Sequence, residues 1–168
     1  MITKATLEDL SALEKLINSA YRGETSKQGW TTEANLLEGK RITEDELAET
    51  IQSKKNTILK FTKNGQIMGC VLLVEKKNQL YLGMLTVSPD LQNSGIGKKL
   101  LQEAEVHALV LGLPKIIMTV ISIREELIAW YKRHGYVDTG AREPFPLNGT
   151  DAIIAKQPLE FIVMEKII

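Results

Sequence analysis

The residues best suited to chemistry lie where a strand runs into a glycine-bearing turn that opens a long helix. This stretch reads Leu85-Thr86-Val87-Ser88-Pro89-Asp90-Leu91-Gln92-Asn93-Ser94-Gly95-Ile96-Gly97-Lys98-Lys99. The start of a helix carries unpaired backbone N–H groups and the positive end of the helix dipole, which together suit an anion such as phosphate. Glycines at positions 95 and 97 let the backbone approach a ligand closely because they have no Cβ. The stretch therefore predicts a phosphate-binding turn.

Two common phosphate motifs do not fit this turn. A P-loop would have glycine at the position of Gln92 and Ser or Thr at the position of Lys99. A dinucleotide fingerprint that starts at Gly95 and Gly97 would have a third glycine where this chain has Leu100. The pattern that fits is Gln/Arg-x-x-Gly-x-Gly/Ala, which begins at Gln92. The alternative is a turn that only joins a strand to a helix, and a bare Gly-x-Gly would favour it.

A second block of aromatic and basic residues reads Trp130-Tyr131-Lys132-Arg133-His134-Gly135-Tyr136. The first block, with Leu-Thr-Val-x-Pro directly before its turn, resembles the acetyl-CoA pyrophosphate loop of the GNAT N-acetyltransferase superfamily. The second block resembles the Tyr-x-x-x-Gly-Phe segment of that superfamily, with Tyr136 in place of Phe. The blocks have the expected order and separation, and the order of strands and helices matches from Ile2 to Lys166. The chain is thus identified as a member of this superfamily.

The resemblance implies a set of contacts with acetyl-CoA. Backbone groups of Leu85 and Val87 are expected to bond the pantetheine amides, and the Val87 N–H is expected to hold the oxyanion that develops from the thioester. Tyr131 corresponds to the family tyrosine that protonates the departing CoA thiolate, which is reasonable chemistry for a hydroxyl aimed at sulfur. The alternative is a tyrosine that only packs against the sheet. The expected contacts are Leu85, Thr86, Val87, Gln92, Asn93, Ser94, Gly95, Ile96, Gly97, Lys98, Arg124 and Tyr131.

Two departures from the family pattern bear on the mechanism. Family members often carry Asn early in the helix after the splayed strand, where this chain has Arg124. Arginine only donates hydrogen bonds, so it would contact a pantetheine carbonyl or the phosphates. Some members place a general-base Glu on the splayed strand, but Leu80 to Val87 offers no carboxylate. The base stays unassigned between a water chain, a residue such as Glu33, and an amine that arrives neutral.

Acceptor specificity in this fold comes largely from the segment after the first helix and from the loop between the last strands. By that correspondence the acceptor site is expected to include Tyr21, Arg22, Trp30, Glu33 and Phe145. Trp30 and Phe145 would form an apolar wall, and Arg22 or Glu33 would select the charge of the substrate. The alternative is that Trp30 only pins a long loop and that these charges are solvated.

The resemblance implies an acetyl-CoA-dependent N-acetyltransferase that uses acetyl-CoA as its co-substrate and no metal. The acetyl group is expected to pass to a primary amine of a small molecule, by direct attack in a ternary complex. Two alternatives stay open. One is a non-catalytic acyl-CoA-binding sensor, which the missing strand carboxylate favours, and the other is an acetyltransferase that acts on a protein or peptide amine.

Length and composition agree with this expectation. A chain of 168 residues is about the size of one domain, so residues 1–168 are predicted to form a single N-acetyltransferase domain. Lys plus Arg total 21 and Asp plus Glu total 21, and this zero net charge argues against a nucleic-acid binder. Two His and one Cys make no recognisable metal site. The absence of a signal peptide or membrane-spanning run predicts a cytoplasmic protein, and a homodimer stays open.

Hydrophobic periodicity predicts the elements that must position these residues, in the α/β class. Capping boxes are expected at Thr6 with Asp9, Thr43 with Glu46, and Ser122 with Glu125, each at the start of a helix. A helical turn is expected at Glu33 to Leu37, and the glycine turn should open a helix that extends to Leu111. The predicted strands are Ile2–Lys4, Thr57–Phe61, Ile67–Val74, Leu80–Val87, Lys115–Val120, Tyr136–Thr139 and Glu160–Lys166.

The resemblance completes this expectation with a named architecture. It implies the GNAT (acyl-CoA N-acyltransferase) fold, which has a mixed, mostly antiparallel central sheet flanked by helices. Two parallel strands splay apart in the middle of that sheet, and pantetheine inserts between them like a further strand. The splayed strand corresponds to Leu80–Val87.

Overall fold

A computed structural model describes residues 1–21, 37–38, 41–144, 154–155 and 160–168 of the chain. The four helices in the described residues are α1 (Leu10–Tyr21), α2 (Glu44–Gln52), α3 (Ile96–Leu111) and α4 (Glu125–Arg133). The strands are β1 (Ile2–Lys4), β2 (Leu37–Glu38), β3 (Asn56–Lys63), β4 (Gln66–Lys76), β5 (Gln79–Val87), β6 (Lys115–Ile121), β7 (Val137–Pro144), β8 (Ile154–Ala155) and β9 (Glu160–Ile167).

Seven of these strands form one open sheet in the order β1-β3-β4-β5-β6-β9-β7, and β2 pairs with β8 separately. Every described pair is antiparallel except β5 with β6, which the α3 crossover makes parallel. The turn between β3 and β4 has Asn64 at φ 54° and Gly65 at φ 74°, the positive angles that a tight hairpin turn needs. Among the described helices, none has the length and apolar character needed to cross a membrane.

The parallel pair β5–β6 is joined only at its start. Leu80 pairs with Ile116 and Tyr81 with Ile117, and no further register partners follow. Along the other edge of β5, Cys70 pairs with Thr86 and Leu72 with Gly83, so β5 carries one residue more than β4 over this interval. Met84 in this bulge has φ 50°. The expected fold is confirmed: a mixed, mostly antiparallel sheet whose parallel strands splay in the middle, flanked by helices.

Two apolar cores lie on the two faces of the sheet, as the alternation of side chains along a strand requires. Val71 and Leu73 of β4 face the first core, where α3 contributes Leu100 and Ala104. The intervening Cys70 belongs to the second core, where α1 and α2 contribute residues such as Leu13, Ile17 and Leu47. Because helices cover both faces, the splayed edges of β5 and β6 are held between two packed layers.

Two of the three expected capping boxes begin helical segments. The Thr6 N–H donates to Oδ2 of Asp9 at 2.8 Å and opens a 3₁₀ turn that leads into α1. At the start of α2, the Glu46 N–H donates to Oγ1 of Thr43 and the Thr43 N–H donates to Oε1 of Glu46, each at 3.2 Å. These caps depend on neighbours three residues apart, which is why local sequence predicts them.

The third capping box was predicted at the wrong residue. Arg124, rather than Ser122, is the N-cap of α4, and no side chain caps this helix. The Ser122 N–H instead donates to the carbonyl of Glu160 at 2.9 Å, so the chain is still tied to β9 at this point. Pairing between strands therefore delays the start of the helix by two residues.

Several strand ends differ from the prediction by one or two residues, and two other elements differ by more. Leu37 lies in strand β2 and not in a helical turn, while residues 33–36 lie outside the described residues. Strand β7 continues beyond Thr139 to Pro144, because Arg142 pairs with Ile162 of β9 after a register shift. Long-range pairing decides both outcomes, and neither is encoded in the local pattern.

Tyr136 has a buried hydroxyl with no hydrogen-bond partner among the described residues. Its side chain is 2% exposed, and burial, with a smaller effect of the Glu105 carboxylate, raises its pKa. Removing an unsatisfied buried group recovers its desolvation cost, about 1–3 kcal/mol. Tyr136→Phe is therefore expected to raise the free energy of unfolding, measured by urea denaturation, by about that amount.

A matched control is Tyr81→Phe, since the hydroxyl of Tyr81 lies 3.5 Å from Oγ1 of Thr119. That variant removes a polar contact and is expected to leave stability unchanged or slightly lower. Destabilisation by Tyr136→Phe would mean that the Tyr136 hydroxyl is satisfied in solution.

Candidate functional site

A cleft of about 260 Å³ lies between the carboxyl end of β5, the start of α3 and the last turns of α4. The structure brings together on its walls most residues that the sequence assigned to acetyl-CoA. Both sequence blocks contribute, although they are far apart along the chain. The predicted residues that line the cleft are Leu85, Val87, Gln92, Asn93, Ser94, Gly95, Gly97, Lys98 and Tyr131.

Three predicted contacts are not among the lining residues. Thr86 is 1% exposed and its hydroxyl donates to the carbonyl of Met84 at 2.8 Å, because strand alternation turns it to the face opposite Val87. Ile96 is buried in the core against Gly69. Arg124 begins α4, about 10 Å along the helix axis before Tyr131.

The predicted acceptor residues cannot be located on this cleft. Arg22, Trp30, Glu33 and Phe145 lie outside the described residues, as does the side chain of Tyr21. The acceptor site stays a prediction from the sequence.

The backbone at the end of β5 is directed into the gap between the splayed strands. The N–H of Ser88 donates to the carbonyl of Met68 on β4 at 2.9 Å. In an antiparallel pair the backbone groups of successive residues point to alternate edges, so the N–H of Val87 points away from β4, toward the side of β6. Because β6 has diverged from β5 at this point, the Val87 N–H does not pair with β6 and faces the cleft instead.

The turn before α3 is shaped by two residues with positive φ, Asn93 at 72° and Gly95 at 88°. The side-chain amide of Gln92 donates to the carbonyl of Val87 at 3.2 Å and ties the turn to the end of β5. The first intrahelical bond runs from Lys99 N–H to the Gly95 carbonyl, 3.1 Å, so the N–H groups of residues 96–98 precede it. The turn thus presents backbone donors close to Val87.

The first turn of α3 is cationic, unlike those of α2 and α4. Helix α2 begins with Glu44-Asp45-Glu46 and α4 with Glu125-Glu126, whereas α3 has no acidic residue there and carries Lys98 and Lys99. A cation at the positive end of a helix is unfavourable. Lys98 lines the cleft, while Nζ of Lys99 lies 5.6 Å from the ring centre of Phe61, a cation–π distance. An anion bound at this turn would offset the repulsion.

An apolar wall that the sequence analysis missed completes the cleft. Trp130 is its centre: a Cβ added to Gly97 would lie 3.2 Å from the indole, so glycine is what lets α3 and α4 approach there. The ring centres of Trp130 and Tyr131 are 5.2 Å apart in an edge-to-face arrangement, a favourable aromatic geometry. The missed lining residues are Leu91, Leu127, Trp130 and His134.

A periodic signal was available for three of these four residues. Leu127, Trp130, Tyr131 and His134 follow the i, i+3, i+4, i+7 spacing of one helical face. Because Tyr131 was already assigned to the site, its helical neighbours could have been assigned with it. Leu91 follows β5 in a 3₁₀ turn and has no such signal.

Tyr131 is held in place by packing against Tyr136. It is 6% exposed, and its ring packs edge-to-face on Tyr136 with ring centres 5.8 Å apart.

The cysteine of the chain, Cys70, is fully buried in the other core. Burial raises the pKa of its thiol to about 12, and a hydrogen bond with Thr86 lowers that pKa by a smaller amount. In the described part of the chain, no three His, Cys, Asp or Glu side chains are grouped as metal ligands.

Comparison with known proteins places this geometry in a family. The model of the acetyltransferase (GNAT) domain family matches residues 22–152. No curated protein is a significant sequence match. Similar solved structures include the ribosomal-protein-S18-alanine N-acetyltransferase from Escherichia coli, with a TM-score of 0.74 and 17% identity over 100% of this chain and 93% of that one.

Two further solved structures have a similar fold. The PaiA N-acetyltransferase from Thermoplasma acidophilum, solved with coenzyme A, has a TM-score of 0.72 and 21% identity over 100% of this chain and 98% of that one. The IAA acetyltransferase from Bacillus cereus has a TM-score of 0.69 and 18% identity over 100% of this chain and 99% of that one. At these identities the likeness concerns the fold.

The contact between Gly97 and Trp130 can be tested by fluorescence. The chain has two tryptophans, so a Trp30→Phe parent leaves Trp130 as the emitter. In that parent, Gly97→Ala is expected to shift the emission, because the added methyl group must displace the indole by a few tenths of an ångström. Emission spectra and far-UV circular dichroism of the folded variants provide the measurement.

Gly95→Ala is the matched control. Gly95 has φ 88° and no atom within 4 Å of an added Cβ, so this variant strains the backbone by about 1–2 kcal/mol without touching Trp130. Its emission is expected to match the parent. An unshifted emission in Gly97→Ala would contradict the contact.

Proposed function

The chain belongs to the GNAT acetyltransferase family, and from that premise we propose that it transfers the acetyl group of acetyl-CoA to a primary amine of a small molecule. The observation that carries the proposal is one cleft shared by the end of the splayed strand, the cationic start of α3 and Tyr131. A donor for an oxyanion, a site for phosphates and a proton donor then stand together, as acyl transfer from a thioester requires.

The start of α3 would hold the pyrophosphate of acetyl-CoA. Backbone N–H groups between Gln92 and Lys98 supply donors, and the Lys98 side chain adds charge. The gap between β5 and β6 would take the pantetheine, whose amides can bond the outward edge of β5 at Leu85 and Val87. Leu127 and Trp130 supply apolar surface beside it. This fit between ligand chemistry and wall chemistry supports acetyl-CoA as the co-substrate.

The backbone N–H of Val87 would stabilise the reaction at the carbonyl oxygen. When the amine attacks the carbonyl carbon of the thioester, negative charge develops on that oxygen. A fixed donor aimed at it is worth about 2.7–4 kcal/mol of transition-state stabilisation. The direction of this N–H, away from β4 and into the gap, supports the assignment.

The hydroxyl of Tyr131 would supply the proton for the leaving group. As the C–S bond breaks, the electron pair goes to sulfur and the O–H of Tyr131 protonates it, while the nitrogen that forms the amide loses one proton to water and a proton from water restores the Tyr131 hydroxyl. Tyr131 lines the cleft and is nearly excluded from bulk solvent, which supports its assignment as the proton donor. Its packing on Tyr136 fixes its direction.

Direct attack is supported by the state of the thiol. A covalent acetyl-cysteine would need an accessible thiolate, but Cys70 is fully buried and its pKa is raised to about 12. The acetyl group therefore passes directly from sulfur to nitrogen in a ternary complex. The acceptor is proposed to be a small molecule from the expected acceptor site, in which Trp30 and Phe145 would form an apolar wall and Arg22 or Glu33 would select the charge of the substrate.

A second candidate function is a non-catalytic acyl-CoA sensor. The observation that favours it is that no carboxylate belongs to the described residues that line the cleft. A sensor would bind CoA without turnover, whereas an enzyme would accept an amine that arrives neutral or loses its proton to water.

The first experiment measures the release of CoA thiol from acetyl-CoA across a panel of small amines, amino acids and peptides. Wild type is expected to release thiol with one class of acceptor. Tyr131→Phe is expected to lower kcat by about 10²–10⁴-fold, the contribution of a general acid, with little change in the affinity for acetyl-CoA. Binding is measured by calorimetry on the same samples.

Tyr136→Phe is the matched control, because it removes the same hydroxyl from a residue behind the cleft and is expected to keep kcat. Equal turnover in wild type and Tyr131→Phe would contradict the acid role. Tight binding of acetyl-CoA by wild type without turnover on any acceptor would favour the sensor, and release that depends on peptides would identify a protein or peptide amine.

Direct transfer predicts insensitivity to thiol reagents. Because Cys70 is 0% exposed, iodoacetamide is expected to leave both the rate and the mass of the folded protein unchanged, and to add one label only after unfolding. Mass spectrometry and the thiol-release assay provide the measurement. Loss of turnover in step with labelling of the folded protein would contradict direct transfer.

A further inference from the structure

His134 lines the same cleft as the cationic start of α3 and has no role in the reaction described above. Among the described lining residues, the ionisable groups that can carry positive charge are Lys98, from α3, and His134, from the end of α4. The cleft walls in this part of the chain hold no carboxylate. The two cations thus face the same space from two different helices.

The tautomer of His134 follows from its hydrogen bond. Nδ1 lies 2.7 Å from the backbone carbonyl of Trp130, and a carbonyl oxygen only accepts, so Nδ1 carries a proton. Nε2 is on the far side of the ring from this carbonyl. It is therefore the nitrogen whose proton is gained or lost as the imidazole changes charge. Histidine is the side chain that does so between about pH 5 and pH 8.

Some neighbouring groups favour a positive charge on His134 and others oppose it. The C-terminal end of α4 favours a cation, and the indole of Trp130, with ring centres 4.3 Å apart, presents its π-system to the imidazole. Against this stand Lys98 on α3 and the neighbouring Lys132 and Arg133 on α4.

Two further charged groups near the end of α4, Lys166 and Glu105, are paired with each other. Lys166 on β9 approaches Gly135, and its ammonium forms an ion pair with Glu105 of α3 at 2.5 Å. None of the described residues that line the cleft is a carboxylate that could neutralise a charge on His134. A bound anion would therefore favour the protonated ring.

We infer that His134, protonated at Nε2, binds a phosphate group of CoA from the α4 side of the cleft. Lys98 and the backbone donors of α3 hold phosphate from the opposite side. The Nδ1–H bond to Trp130 fixes the ring, so Nε2–H is presented without a loss of side-chain freedom on binding. This inference rests on the proposed function, since it takes CoA as the ligand of the cleft.

CoA carries phosphate in two places, the pyrophosphate and the 3′-phosphate of the ribose. The chemistry that recognises either one is the same, a charged N–H donor facing a phosphate oxygen. Dephospho-CoA lacks the 3′-phosphate and keeps the pyrophosphate, so it separates the two sources. If His134 contacts the 3′-phosphate, the effect of replacing it disappears with dephospho-CoA; if it contacts the pyrophosphate, the effect remains.

The test variant is His134→Asn. The amide nitrogen of asparagine can take the place of Nδ1 and donate to the Trp130 carbonyl, so the anchor is kept while Nε2 is removed. Lys132→Gln is the control, because it removes a positive charge from the same exposed end of α4 without touching the cleft wall. Dissociation constants for CoA are measured by calorimetry at about pH 6 and about pH 8, the two sides of the usual histidine titration.

His134→Asn is expected to bind CoA about threefold to fivefold more weakly than wild type at about pH 6, the size expected for a partly exposed ion pair. At about pH 8 the difference between the two proteins is expected to shrink, because deprotonation of a histidine removes the charged N–H donor that the inference requires. The ionisation of CoA itself cancels in the ratio. Lys132→Gln is expected to change affinity little and by the same factor at both pH values.

A ratio of dissociation constants that is the same at both pH values would overturn the inference, because a merely structural effect of His134 does not depend on its charge. In that case CoA binding, and with it the proposed function, would stand. Failure of wild type to bind CoA at either pH would overturn both.

Discussion

The structure depends on a sheet that stops pairing in its middle. Strands β5 and β6 share register only at Leu80–Ile116 and Tyr81–Ile117, and beyond that point their facing backbone groups diverge. Buried backbone donors and acceptors almost always find partners, so the groups that face this gap are available to water or to a ligand. The bulge at Met84 lies before the end of β5, and Gln92 ties the glycine turn to the same strand end. Acetyl-CoA bound as proposed would take the place of a missing strand with a charged end.

Helix α4 carries the proposed proton donor and an apolar part of the cleft wall on one face. Trp130 packs on Gly97 at the start of α3, and Tyr131, its neighbour along the chain, packs on Tyr136. A helix held at two points on one face cannot shift one of these side chains without moving the other. The proposed proton donor and the apolar wall of the cleft are therefore positioned by the same contacts, and the glycine at position 97 sets how closely the two helices approach.

The parts of the fold that sequence predicts are those decided by short-range chemistry. The Thr43–Glu46 box, the Asn64–Gly65 turn and the Gly95 turn each depend on residues within four positions of one another, and each forms as expected. The start of α4 was mispredicted at Ser122, because the bond from Ser122 to Glu160 joins residues far apart in sequence. Strand pairing at that distance overrides a local capping signal.

The candidate site divides in the same way. Motif spacing predicted that the glycine turn and Tyr131 belong to one site, and the structure places both on one cleft. Helical spacing from Tyr131 also indicated Trp130, but its contact with Gly97 on another helix is created only by the packing of α3 against α4. His134 is anchored to its own helix by the hydrogen bond from Nδ1 to the Trp130 carbonyl, which is a local contact. Its position on the same cleft as Lys98 depends on the packing of α3 against α4 and is not encoded locally. The proposed phosphate contact of His134 becomes apparent only when its hydrogen bond within α4 is considered together with Lys98 on α3.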